Sequence, residues 1–192
     1  MTGATGQIYG VRLLEVLRDR PDVETHLIMS PWAEKTLLAE TAYSPEAVRA
    51  LATKVYSIDD LGAALSSGSF KRHGMVIAPC SIKTLSAVAN SFNINLIVRA
   101  ADVCLKEKKP VVLMVRETPL HLGHLRLMVQ VSEVGATVLP PIPAFYNRPQ
   151  TLDDIINQSV GRALDILGIE HGLYRPWQGL AEDSRSPGSG WM

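Results

Sequence analysis

Gly3-Ala4-Thr5-Gly6, with Gly10 one helical turn further on, gives the start of the chain a backbone suited to holding an anion. Glycines let main-chain N–H groups approach a ligand closely, and a following helix adds free N–H groups and the positive end of its dipole. Thr5 contributes a hydroxyl. A tight turn without a ligand is the plain alternative. The spacing is not the G-x-G-x-x-G of dinucleotide-binding turns, and no Tyr is followed by Lys four residues later, as the common reductase pair requires. The strand-like run Thr25–Met29 ends at Ser30, where a nicotinamide-binding unit carries an acidic residue for the ribose. Ser30 suits a ligand hydroxyl or phosphate better.

A second anion site is written at Ser81-Ile82-Lys83-Thr84, where a strand meets a helix. Ser81 is also a natural helix cap, which is the structural reading of the same residue. Arg116-Glu117 follows the apolar run Val111–Val115, so the pair is either part of a site or a structural ion pair. Arg99 and Lys106 share one helix face and Glu40 ends a helix; solvated faces explain all three equally well. Cys80 has no His nearby in sequence to activate it as a nucleophile. His121 and His124 have a spacing that permits a metal, but no Cys or carboxylate cluster accompanies them, and no metal is expected. Pro140–Tyr146 is a stiff segment that brings Tyr146 to a pocket wall or to a sheet edge.

The elements that must position these residues alternate between strand and helix. Helical spacing runs from Gln7 to Arg20, after Ser30-Pro31 through Thr41, and again from Ser44-Pro45-Glu46. It returns over Ser81–Phe92, Leu96–Lys108, Leu120–Val134 and, after a capping-box sequence at Thr151–Asp154, through Leu167. Strands are expected at Thr25–Met29, Gly74–Ala78, Val111–Val115 and Thr137–Leu139. This alternation predicts a doubly wound, mostly parallel α/β sheet of Rossmann-like or flavodoxin-like type, three layers deep. Ligands of such sheets bind beyond the carboxyl ends of the strands.

With 192 residues the chain forms one domain, expected over 1–179, followed by a Ser/Gly-rich tail at 180–192 expected to be disordered. Lys plus Arg and Asp plus Glu are 19 each, so net charge supports neither nucleic-acid nor membrane-surface binding. Two cysteines make no disulfide scaffold. No apolar run is long enough to span a bilayer, and no signal-peptide pattern opens the chain, so a cytoplasmic protein is expected. The glycine turn begins almost at Met1, where such turns normally follow a strand.

Taken together, the blocks TGATG, ETHLIMS, LSSGSF (65–70), APCSIKTLSAVA, RAADVCLKE, VRETPLHLGHLRLM, PPIPAFYNRPQ and RPWQG resemble the UbiX-type flavin prenyltransferases, a group that includes proteins once called phenylacrylic acid decarboxylases. The match runs from Thr2 to about Gly179. It implies that reduced FMN is bound and receives, at N5 and C6, the dimethylallyl group of dimethylallyl monophosphate, without a metal. Gly3, Ala4, Thr5, Ser30, Ser81, Ile82, Lys83, Thr84 and Arg116 would hold FMN, and Tyr146 and Arg162 the dimethylallyl phosphate. Arg99, Lys106 and Glu117 would surround that phosphate, with Glu40 near the reacting flavin edge. Cations there would stabilise the leaving phosphate, and Glu117 would relay a proton to it.

The resemblance also implies a homo-oligomer, a dodecamer built from trimers with sites at subunit junctions, and a UbiD-type decarboxylase that uses the product. It implies a first strand upstream of the glycine turn, which is expected to be missing here; a mitochondrial location follows if a targeting segment went with it. Competing readings are an FMN-dependent decarboxylase of aromatic acids or cysteines, and a non-catalytic FMN-binding protein. The cysteine-type enzymes would want a His near the Ser30 helix, and SPWAEKTLLAE has none.

Overall fold

The computed structural model describes residues 1–179, so the tail at 180–192 lies outside the described residues. Helix α1 (Gln7–Arg18) buries Gly10, Val11, Leu13, Leu14 and Leu17, the i, i+3, i+4, i+7 face of an amphipathic helix. Strand β1 (His26–Ile28) follows, then α2 (Pro31–Glu40) and α3 (Pro45–Arg49). Both helices start with Ser as cap and Pro in the first turn, and the Ser30 and Ser44 hydroxyls accept from Ala33 N and Ala47 N. Strand β2 (Lys54–Tyr56) pairs parallel with β1. It was not expected from the sequence, because it is three residues long and Val55 is exposed.

The second half contains β3 (Met75–Cys80), α4 (Ile82–Ala89), α5 (Leu96–Lys106), β4 (Val111–Val115), α6 (Leu122–Glu133), β5 (Thr137–Val138) and α7 (Leu152–Ile166). The helices stop a few residues short of their expected ends for local reasons. Ser91 and Lys108 turn into left-handed conformations, and His121 accepts from Gly123 N and His124 N as the cap of α6. The capping box at Thr151 and Asp154 forms as expected.

β3, β4 and β5 form one parallel sheet in that order. Ile77, Leu113 and Val115 pack with α4 and α5, while Ala78, Val112 and Met114 pack with Ala163 and Leu167 of the α7 side. β4 is buried throughout, which explains its uninterrupted apolar sequence. The result is the doubly wound three-layer arrangement.

β1 and β2 form a separate pair. Met1 and Thr2 run between the two sheets: the Met1 amine donates to Ile28 O (2.8 Å), Ser30 N donates to Met1 O (3.1 Å), and Thr2 N donates to Pro79 O (3.2 Å). Across this junction the order β2, β1, Met1–Thr2, β3, β4, β5 is the 3-2-1-4-5-6 order of a doubly wound sheet, with Met1–Thr2 in first-strand position. Behind them the facing edges of β1 and β3 enclose a cavity of about 460 Å³ lined by Leu13, Leu14, Leu17, Leu27, Val76 and Ile77. No helix among the described residues is long and apolar enough to cross a membrane.

Candidate functional site

The site is built where chain segments leave the carboxyl ends of the strands. The glycine turn arrives from Thr2, and Gly3 faces the first turn of α2 so closely that a Cβ on it would lie 2.4 Å from Trp32 Cβ. Only glycine fits there. Gly6 ends the turn in the left-handed region (φ 95°) and starts α1 without a side-chain cap of its own. Glu40, at the end of α2, supplies the cap, its Oε2 accepting from Gly6 N and Gln7 N. The α1 N-terminus thus already holds a carboxylate, where the sequence suggested a ligand anion.

α4 is different. Its Ser81 cap accepts from Thr84 N (3.4 Å) and donates to Thr84 Oγ1 (3.2 Å). Ser81 N donates to Thr2 Oγ1 at 2.8 Å. Ile82 N and Lys83 N have no protein acceptor among the described residues, so this helix start presents free donors, with the exposed Lys83 beside them. Arg116 N donates to Cys80 O (3.1 Å), which ties the end of β4 to the start of this turn. Tyr9 shares the Arg116 neighbourhood: burial pushes its phenol up, and the Arg116 charge partly opposes this. The glycine turn, Ser30, Ser81–Thr84 and Arg116 are therefore brought together at one sheet end.

The remaining candidates make other contacts within a single chain. Arg99 donates to Ser66 O and pairs with Asp102 (3.3 Å), and Lys106 pairs with Glu107 beside Gly68. Arg162 pairs with Asp165 (2.9 Å) and contacts Tyr174. Tyr146 meets the Trp177 ring edge-on, 5.6 Å between centroids. Glu117 is exposed and accepts from Thr118 N. None of Arg99, Lys106, Tyr146 or Arg162 bonds to the glycine turn, Ser81–Thr84 or Arg116 in the described residues.

Cys80 is fully buried, and burial pushes its thiol up to about 12, which leaves it inert. No three His, Cys, Asp or Glu among the described residues are grouped to hold a metal ion. Two residues escaped the sequence reading. Thr2 and Gln7 are buried polar groups that brace the glycine turn. The legible signal was Gln7, a polar residue on the apolar face of α1.

Residues 1–163 match the family model described as Flavoprotein. The flavin prenyltransferase UbiX of Thauera aromatica is 60% identical over 182 residues, 95% of this chain and 93% of its own. A crystal structure of AnUbiX (PadA1) in complex with FMN and dimethylallyl pyrophosphate superposes with a TM-score of 0.91 at 50% identity, covering 94% of this chain and 96% of the other. A dodecameric FMN-dependent UbiX-like decarboxylase from Escherichia coli O157:H7 gives 0.90 at 48% identity, covering 93% and 100%.

Proposed function

We propose, for a chain that belongs to the flavoprotein family and to its UbiX-type flavin prenyltransferases, that it transfers the dimethylallyl group of dimethylallyl monophosphate to reduced FMN. Bound and reduced, FMN supplies the nucleophilic N5 and the C6 that take up the dimethylallyl unit. The observation that carries the reading is the convergence of four chain segments on one end of the sheet, with Ile82 N and Lys83 N left as free donors.

The donor set suits FMN. A phosphate monoester needs several N–H and hydroxyl donors and a cation, and Ile82 N, Lys83 N, the Thr84 hydroxyl and the Lys83 ammonium supply them at a helix start that Ser81 caps. Gly3, Ala4 and Thr5 offer a backbone ledge without bulky side chains for a flat ring system, flanked by Ser30 and Arg116. Glu40 already neutralises the α1 terminus, so the phosphate is directed to α4.

Tyr146 and Arg162 are assigned to the dimethylallyl phosphate. Arg99 and Lys106 are assigned to the charge that develops on the departing phosphate, and Glu117 to the proton it receives. Arg99, Lys106, Tyr146 and Arg162 are not joined to the flavin loops within one chain. A second copy of the chain is therefore assigned to bring them in, with the catalytic unit at a junction of a homo-oligomer. A dodecamer is the proposed assembly, and a UbiD-type decarboxylase the proposed user of the product.

Incubating the protein anaerobically with reduced FMN and dimethylallyl monophosphate, then weighing the flavin by mass spectrometry, tests the reading. A flavin heavier by one dimethylallyl unit is expected. Unchanged FMN that stays bound would instead describe a flavin-binding protein, and release of carbon dioxide from an aromatic or cysteine substrate without flavin alkylation would describe a decarboxylase. Glu117→Gln is expected to prenylate poorly; undiminished prenylation would remove its proton role.

A further inference from the structure

We propose that Thr2 and Gln7 form a buried positioning network that locks the glycine turn to the first turn of α4 and thereby selects which α4 N–H groups meet the bound anion. The inference rests on the flavin-binding reading above. Neither residue was among the candidate ligand contacts.

Both side chains are out of solvent, Thr2 at 2% and Gln7 at 0% exposure. The Thr2 hydroxyl has one proton, which goes to Pro79 O (2.8 Å), and its oxygen accepts from Ser81 N (2.8 Å). Thr2 N also reaches Pro79 O (3.2 Å), so a single residue grips the 79–81 peptide run at three points. Gln7 completes the brace from α1. Its Nε2 gives one proton to Thr2 O and one to Ala4 O, each at 2.7 Å, while Ala4 N closes on Thr2 O at 2.9 Å. The chain of contacts thus runs from α1 through the glycine turn to the cap of α4.

Two features mark this as more than ordinary packing. Gln7 Oε1 is buried with no partner among the described residues, a cost the fold tolerates while both Nε2 protons are used on the turn. The network also consumes Ser81 N, and the Ser81 hydroxyl consumes Thr84 N. Of the first N–H groups of this helix start, Ile82 N and Lys83 N remain. Thr2 therefore withdraws Ser81 N so that only that pair is offered, and the distance between the two turns is set by side chains buried out of solvent. A site assembled from two loops needs such support to keep its geometry within about half an ångström.

The test measures FMN affinity by fluorescence quenching, with KM for FMN and kcat in the prenylation assay, on the full chain and on Thr2→Val, Thr2→Ser and Gln7→Met. Thr2→Val keeps the shape and strands Ser81 N; its FMN Kd is expected to rise about tenfold or more, with KM rising more than kcat falls. Thr2→Ser restores both bonds and is expected within about threefold of the parent. Gln7→Met is expected to weaken FMN and to add less than its full effect on top of Thr2→Val. Parent-like FMN affinity in folded Thr2→Val, or no recovery in Thr2→Ser, would overturn the proposal. Should Thr2→Val not fold, unchanged affinity in Gln7→Met would overturn it. If the parent chain binds no FMN, the flavin reading fails instead, and hydrogen exchange of the Ser81 amide in Thr2→Val still decides whether the network exists.

Discussion

Glu40 caps the helix that Gly6 begins, although the two are 34 residues apart: its Oε2 lies 2.8 Å from Gly6 N and 3.1 Å from Gln7 N. The contact fastens α2 to the glycine turn. Glu40→Ala is expected to lower unfolding stability by about 1 kcal/mol, the usual effect of losing a cap, and to weaken FMN binding. Glu40→Gln keeps an acceptor and is expected to keep both properties. Urea unfolding and FMN titration check this, and a loss of turnover in Glu40→Gln with stability and FMN affinity kept would place proton chemistry on Glu40.

The contact between Gly3 and Trp32 leaves no room for a methyl group. Gly3→Ala puts a Cβ 2.4 Å from Trp32 Cβ, which is fixed to the backbone of α2. Forcing them apart is expected to cost about 1–3 kcal/mol and to move the turn away from α2. Thermal unfolding together with FMN titration reads both effects.

Asp165 sets a pH dependence. Burial pushes its carboxyl up, but hydrogen bonds from Tyr174, His171 and Arg162 outweigh this and hold it below the usual carboxylate range. His171 Nδ1 accepts from Leu173 N, so the proton facing Asp165 is on Nε2. A carboxyl lowered in the folded state stabilises above the unfolded value of about 3.9, and that contribution disappears as pH falls below it. The urea midpoint is expected to drop below about pH 4, and less steeply in Asp165→Asn.

A cavity of about 460 Å³ lies between β1 and β3. Met1 and Thr2 already pair with both edges, and the walls behind them mix apolar side chains with Glu24, Lys54, Lys71 and Arg72. Attaching about five extended apolar residues ahead of Met1 is expected to raise the urea midpoint, because the open edge groups of β1 and β3 gain partners. A Gly/Ser extension of equal length is the control, and equal midpoints for both would show that the cavity accepts no strand.

Helix α6 exposes Leu122, Leu125 and Val129, three apolar residues on one face. In a homo-oligomer this face is a natural subunit contact. Leu125→Glu combined with Val129→Glu is expected to reduce the assembly size without unfolding the chain, as read by light scattering and circular dichroism.

Local chemistry made much of the fold legible. Val111–Val115 reads as a strand because five uncharged, mostly β-branched residues suit a position buried on both faces, and it is one. Ser30, Ser44, Ser81 and Thr151 read as helix starts because a short hydroxyl side chain satisfies its own helix. β2 was not legible, since it is held by pairing with β1 and carries little apolar pattern of its own.

The sequence by itself determined the alternation of strands and helices, the glycine turn, and the donor-rich turn at Ser81–Thr84. Each depends on residues a few positions apart. Only the tertiary structure decided that Glu40 fills the α1 terminus while Ile82 N and Lys83 N of α4 stay without an acceptor among the described residues, and that Thr2 takes Ser81 N for itself, 79 residues away. It also decided that Arg99, Lys106, Tyr146 and Arg162 stand apart from the glycine turn and Ser81–Thr84 in one chain. The physical reason is common to all three: a hydrogen-bond donor has few partners to serve, and which one it meets depends on how distant segments pack, a property no local spacing encodes.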